Sequence, residues 1–131
     1  MPRAHWTLQN ELPVIEIVLE LPTGHRVART LLADTGAGPA NAPFDLILDE
    51  SDCLLAGVSV NSSVALGGAY SGSYSIYRVS IEIPALGFVG SVHAVGVATA
   101  PPGLDGIACF RFLNRFTYGN FADPSGFGLE T

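Results

Sequence analysis

The chain has 131 residues, enough for one domain with a modest core. Hydrophobic residues make up 48% and charged residues only 14%, so the chain must bury much of its surface in itself or against a partner. A net charge of -6, with six scattered arginines and no lysine, argues against nucleic acid as a partner, because phosphate binding needs clustered cations.

The N-terminal "MPRAHWTLQNELP" lacks the apolar run of a signal peptide, and no stretch is long enough to span a bilayer. The expected compartment is cytoplasmic. Cys53 and Cys109 lie far apart, and neither they nor His5, His25 and His93 have metal-ligand spacing. Buried free thiols are expected, with no metal and no cofactor. Trp6 is expected to pack or to touch a second copy of the chain.

Strand patterns dominate from residue 12 onward. "LPVIEIVLEL" (12–21) puts Ile15, Ile17 and Leu19 on one face and Glu16 and Glu20 on the other. "PTGH" (22–25) reads as a turn, and "RVARTLLA" (26–33) starts polar and ends fully apolar, as a strand entering the interior would. "APFDLILDE" (42–50) predicts a short strand with Asp45 and Asp49 at its edges. "VSVNSSVAL" (58–66) and "YSIYRVSIEI" (74–83) alternate again, and the "GGAYSGS" between them makes a long hairpin with a flexible tip. "LGFVGSVHAVGVA" (86–98) predicts another apolar strand, stopped by "TAPPG". Only "CFRFLNRF" (109–116) looks helical, with Phe112, Leu113 and Phe116 on one face and Arg111 and Arg115 one turn apart on another. "TYGNF" and "GFGLE" predict a closing hairpin. The sum is a single all-β domain, 1–131, with one short C-terminal helix.

One stretch stands out chemically. "LLADTGAG" (31–38) delivers an acid to the end of an apolar strand, where an unpaired charge is costly. Thr35 and Gly36 supply a hydroxyl and an unobstructed backbone, suited to a tight turn around Asp34. In isolation, Asp-Thr-Gly reads first as an ordinary turn in which the aspartate bonds its own backbone.

The context adds to this. "LLADTGAG" resembles the active-site motif of the aspartic peptidases. "LGGAYSGSYSIYRVSIEI" is similar to the flap hairpin of the retropepsin-like branch of that family, and "GLDGIACFRFLNRF" to its psi-loop and terminal helix. The three blocks keep the family's order from about residue 12 to the C-terminus. The resemblance implies a small closed β-barrel of the retropepsin type and an aspartic endopeptidase. It also implies that catalytic Asp34, Thr35 and Gly36 are paired with the same residues of a second copy, since no other aspartate here is followed by Thr-Gly or Ser-Gly. In such a homodimer two facing carboxyls share one proton and activate a water against a peptide or protein substrate. Ala37, Gly67, Gly68, Ala69 and Tyr70 are the substrate-binding residues that the resemblance implies.

Two positions depart from the family's pattern. Cys109 stands where a glycine is expected and Phe110 where an arginine is expected, and "GAGPA" lacks the acid that usually pairs with that arginine. A glycine position that needs close packing or a positive φ would leave Cys109 strained. These departures favour one alternative, a catalytically weak or inactive domain of the same fold used for dimerisation or peptide binding. A second alternative is an unrelated β-sandwich binding module in which residues 34–36 are only a turn.

Overall fold

The computed structural model describes residues 1–131. Strand accounts for 53% of them, and six strands close a β-barrel, so the all-β expectation holds. The barrel strands are β2 (Val14–Glu20), β3 (Arg26–Ala33), β4 (Leu46–Asp49), β6 (Gly72–Ile83), β7 (Phe88–Val97) and β8 (Gly106–Ala108). They run in the order β2-β3-β8-β4-β7-β6, and β2 pairs back onto β6 to close the ring. A further strand, β5 (Gly57–Leu66), extends beyond the barrel as the outer partner of β6.

The alternation read from the sequence explains the inward faces. In β2, Ile15, Ile17 and Leu19 are buried while Glu16 and Glu20 face solvent. β4 is apolar at consecutive positions because both of its faces are covered. Leu46 and Leu48 join a main core of 21 buried residues, and Ile47 joins a second cluster of eight on the opposite face. Adjacent Ile76 and Tyr77 of β6 divide between the two clusters in the same way. Ala42, Phe44, Ile47 and Ile107 of the second cluster line a cleft.

The connectivity is unusual at one place. β8 lies between β3 and β4, parallel to the first and antiparallel to the second. The chain therefore leaves β3, loops through residues 34–45, and returns as β4 on the far side of a strand that is made much later.

Two elements were not anticipated. Residues Glu50–Ala56 form a helix, α1, so the C-terminal helix is not the only one. Asp49 caps it by accepting from the Ser51 N–H at 2.9 Å, and Glu50 and Asp52 place negative charge in its first turn. Asp-Glu-Ser-Asp is a usable N-terminal signal that a strand reading of 42–50 overran. Gly57 ends the helix; a Cβ there would meet Val79 at 2.7 Å and the Cys53 carbonyl at 2.9 Å. Arg29 of β3 holds α1 in place through two bonds to Asp52, 2.7 and 2.9 Å.

The second is β1 (Arg3–Thr7), which pairs antiparallel with β10 (Gly126–Glu130). Strand β9 (Thr117–Gly119) lies on the other side of β10, as the expected closing hairpin requires. The C-terminal helix, α2 (Phe110–Leu113), is shorter than its pattern suggested, but its apolar face is as expected. Phe112 packs edge-on against Phe88 and Phe116 at 5.8 and 5.4 Å between ring centroids.

Candidate active site

Asp34 follows directly from β3 and is half-buried. Its backbone N–H donates to the Ala108 carbonyl at the end of β8, 3.0 Å away, which continues the β3–β8 ladder by one residue. The turn then closes on itself. The Gly36 N–H donates to Asp34 Oδ1 at 2.9 Å, and the Ala37 N–H to the Asp34 carbonyl at 3.1 Å. A Cβ at Gly36 would sit 3.3 Å from that same Oδ1, so a side chain there would crowd the carboxylate. Asp34 Oδ2 and the exposed Thr35 hydroxyl make no hydrogen bond within the chain.

A cleft of about 730 Å³ opens beside this turn. Asp34, Gly36, Ala37, Gly67, Gly68, Ala69 and Tyr70, seven of the eight residues expected from the sequence to be catalytic or substrate-binding, line it together. Thr35 lies outside the lining. Asp34 is the only ionisable acid or base among the lining residues apart from the Tyr70 phenol. Apart from Asn41, the floor and walls are otherwise mainly apolar: Ala42, Phe44, Ile47 and Ile107 below, Val64 and Leu66 from the hairpin above. Of these six, only Leu66, the first residue of the flap segment, was singled out from the sequence. The six belong to three separate segments whose meeting depends on β8 lying between β3 and β4.

The hairpin β5–β6 covers the cleft. Its register shifts between Ser59 and Ser63, and Asn61 takes a positive φ of 56° inside this bulge. The bulge bends the hairpin, so that Val64, Leu66, Tyr70 and Tyr74 pack against the second cluster. The tip is a short 3-10 turn, Gly68–Tyr70, and Gly68 at φ 65° and Gly72 at φ 138° supply the conformations it needs. Partial burial pushes the Tyr70 hydroxyl above its ordinary pKa, with Tyr74 adding to the effect.

At the two departing positions the backbone is relaxed. Cys109 has φ -86° and ψ 169°, ordinary extended geometry, so the strain expected of a residue in a glycine position is not found. Its thiol is fully buried and pushed up to about 12, first by burial and then by Asp34 and Asp45. The Phe110 N–H donates to the Ala37 carbonyl at 3.0 Å, which ties the start of α2 to the Asp34 turn.

A buried ion pair lies close to the Asp34 turn, at Asp45. Asp45, only 1% exposed, receives Arg115 Nη2 on Oδ1 at 2.8 Å, with Arg111 Nε 3.6 Å from the same oxygen. The sequence places Arg111 and Arg115 on one helical face and Asp45 at a strand edge, but nothing local connects them.

Arg3, Arg26 and Arg29 also pair with carboxylates. No three His, Cys, Asp or Glu side chains converge in a way that would hold a metal ion. No helix is long and apolar enough to cross a membrane. No protein-family model matches the chain, and neither a curated protein nor a solved structure was found to match it.

Proposed function

We propose that the protein is an aspartic endopeptidase of the retropepsin type, active as a homodimer in which each chain supplies one Asp34. The observation that carries this reading is the state of Asp34. It is a carboxylate held by its own turn at the edge of an apolar cleft, with one oxygen tied to Gly36 and the other free. The free Thr35 hydroxyl beside it and the bent hairpin over the cleft support the same reading, as does the strand β8 set between β3 and β4.

The chemistry follows from pairing two such carboxyls. Close together they cannot both ionise cheaply, so they share one proton, and the apparent pKa values belong to the pair. The ionised member takes a proton from a water held between them as that water attacks the scissile carbonyl carbon. The protonated member donates to the carbonyl oxygen, giving a neutral gem-diol. Return of a proton from the diol through the pair to the amide nitrogen breaks the C–N bond and releases acid and amine. Thr35 bonds to its counterpart loop across the twofold axis, Gly36 lets the substrate backbone approach, and the hairpin tip at 67–70 closes and excludes water.

The test is cleavage of a peptide library by wild type and Asp34→Asn, from acid to neutral pH, with sedimentation alongside. Wild type cuts and sediments as a dimer. Asp34→Asn loses at least about a thousandfold in kcat, within the range for removing a general acid–base pair. A strictly monomeric wild type, or a variant as active as wild type, overturns the mechanism. The replacement of glycine and arginine by Cys109 and Phe110 favours a second reading, a peptide-binding or dimerising domain without turnover. A dimer that binds library peptides and cuts none of them selects it.

A further inference from the structure

We propose that Asp45, clamped by Arg111 and Arg115, is the positioning unit that holds the Asp34 turn and the cleft floor in register. This rests on the aspartic-peptidase reading for its catalytic consequence, though not for the clamp itself.

The geometry connects the three residues to the site through a few bonds. The stretch 108–110 bonds the 34–45 loop at three points: the Ala108 carbonyl accepts from Asp34, the Cys109 N–H donates to the Asp45 carbonyl at 3.0 Å, and the Phe110 N–H donates to Ala37. The helix α2 begins at this stretch, and it and the turn that follows return Arg111 and Arg115 to the same loop. Arg115 reaches the Asp45 carboxylate, and Arg111 donates to the Ala42 carbonyl at 2.7 Å while lying beside Asp45. From the opposite side, β7 holds Asp45 through the backbone of His93. The His93 N–H donates to Asp45 Oδ2 at 3.0 Å, and the Asp45 N–H to the His93 carbonyl at 2.8 Å. Ala42 and Phe44, which form the cleft floor, are thus fixed between two anchored points of one loop.

A buried carboxylate is an expensive way to hold a loop, because its desolvation offsets much of what the arginines return. A well-packed apolar contact would serve stability as well. What the ionic contact adds is direction. Two guanidinium groups and one backbone N–H fix the carboxylate's orientation, and through its peptide they fix Cys109 and the end of β8 to which the Asp34 N–H is bonded. Both arginines keep about a third of their side chains exposed (33% and 37%), so either can be replaced without opening the core.

The experiment compares wild type with Arg115→Met, Arg115→Lys and the double variant Asp45→Asn/Arg115→Met. The double variant removes both charges, so no unpaired ion is left inside if the single variant folds poorly. Each is confirmed folded at the assay temperature by thermal melt. The clamp predicts that kcat in the double variant falls at least tenfold while KM changes less than threefold, and that Arg115→Lys recovers most of the loss. Amide hydrogen exchange at Ala37, Cys109 and Phe110 should quicken at least tenfold, with no change in the β6–β7 ladder. An unaltered kcat, or unaltered exchange at those three amides, overturns the proposal. If wild type cleaves nothing, the peptidase reading fails on its own, and the exchange measurement still decides whether the clamp exists.

Discussion

Gly106 offers the sharpest stability test of the barrel behind the site. It is the first residue of β8, the strand set between β3 and β4, and it is buried on both sides. A Cβ built there would lie 2.2 Å from the Ile47 carbonyl oxygen, 3.0 Å from Leu48 Cδ2 and 3.2 Å from Leu31 Cδ2. A carbon beside a carbonyl oxygen normally keeps about 3.3 Å, so Gly106→Ala must push β4 and β8 apart by about 1 Å. The two leucines can shift, but the carbonyl belongs to the β4 backbone. Overpacking of this kind costs roughly 1–3 kcal/mol, and loosening one or two ladder bonds adds about 1 kcal/mol each. The expected loss is therefore about 2–5 kcal/mol. In a domain of this size that lowers Tm by roughly 6–25 °C. Urea melts at neutral pH measure it directly, with Gly67→Ala as the control, because a Cβ at Gly67 meets nothing within 4 Å. A Gly106→Ala loss below about 1 kcal/mol, or a loss equal to that of Gly67→Ala, would refute the argument that β8 has no room beside β4.

Two further outcomes follow from the same geometry. The Ser51 hydroxyl at 2.5 Å and its backbone N–H at 2.9 Å hold the Asp49 carboxyl below its ordinary pKa. The cap therefore contributes fully above the unfolded aspartate's value, and its contribution is lost as pH falls through the lower folded value. Asp49→Ala should cost about 1 kcal/mol at pH 7, with the gap to wild type closing as pH falls below the ordinary aspartate value of about 3.9. Urea midpoints across pH check it, and a gap that persists unchanged in acid contradicts it. Cys53 and Cys109 are fully buried, with thiols pushed up to about 12 mainly by burial. A thiol-reactive disulfide reagent at pH 8 should modify neither in the native protein and both in guanidinium chloride; rapid native labelling of either would contradict their burial.

Much of the fold was legible because strands and turns are local statements. The two-residue period of β2 and the polar-to-apolar change along β3 fixed which faces go inward, and Gly67, Gly68 and Gly72 marked the hairpin tip. Asp-Thr-Gly after an apolar strand marked the site's turn, since a short acidic side chain followed by glycine can bond its own backbone. The helix α1 was readable and was missed, because the apolar run of β4 continues into its cap without a glycine or proline between them. The second cluster was less accessible. Ile47, Ile76 and Ile107 look like any strand residues, and only barrel closure decides that they face the hairpin rather than the main core.

The sequence by itself determined the alternating strands, the glycine-rich hairpin and the single Asp34 turn, because periodicity and turn chemistry act over a few residues. Tertiary structure alone decided what Asp45 does. Its carboxylate meets partners 48 and 70 residues away in the chain, and it is buried because β7 and the C-terminal helix converge on one loop. Long-range adjacency of that kind leaves no local pattern: an aspartate before an apolar strand and two arginines a turn apart become a clamp only once β8 has been set between β3 and β4.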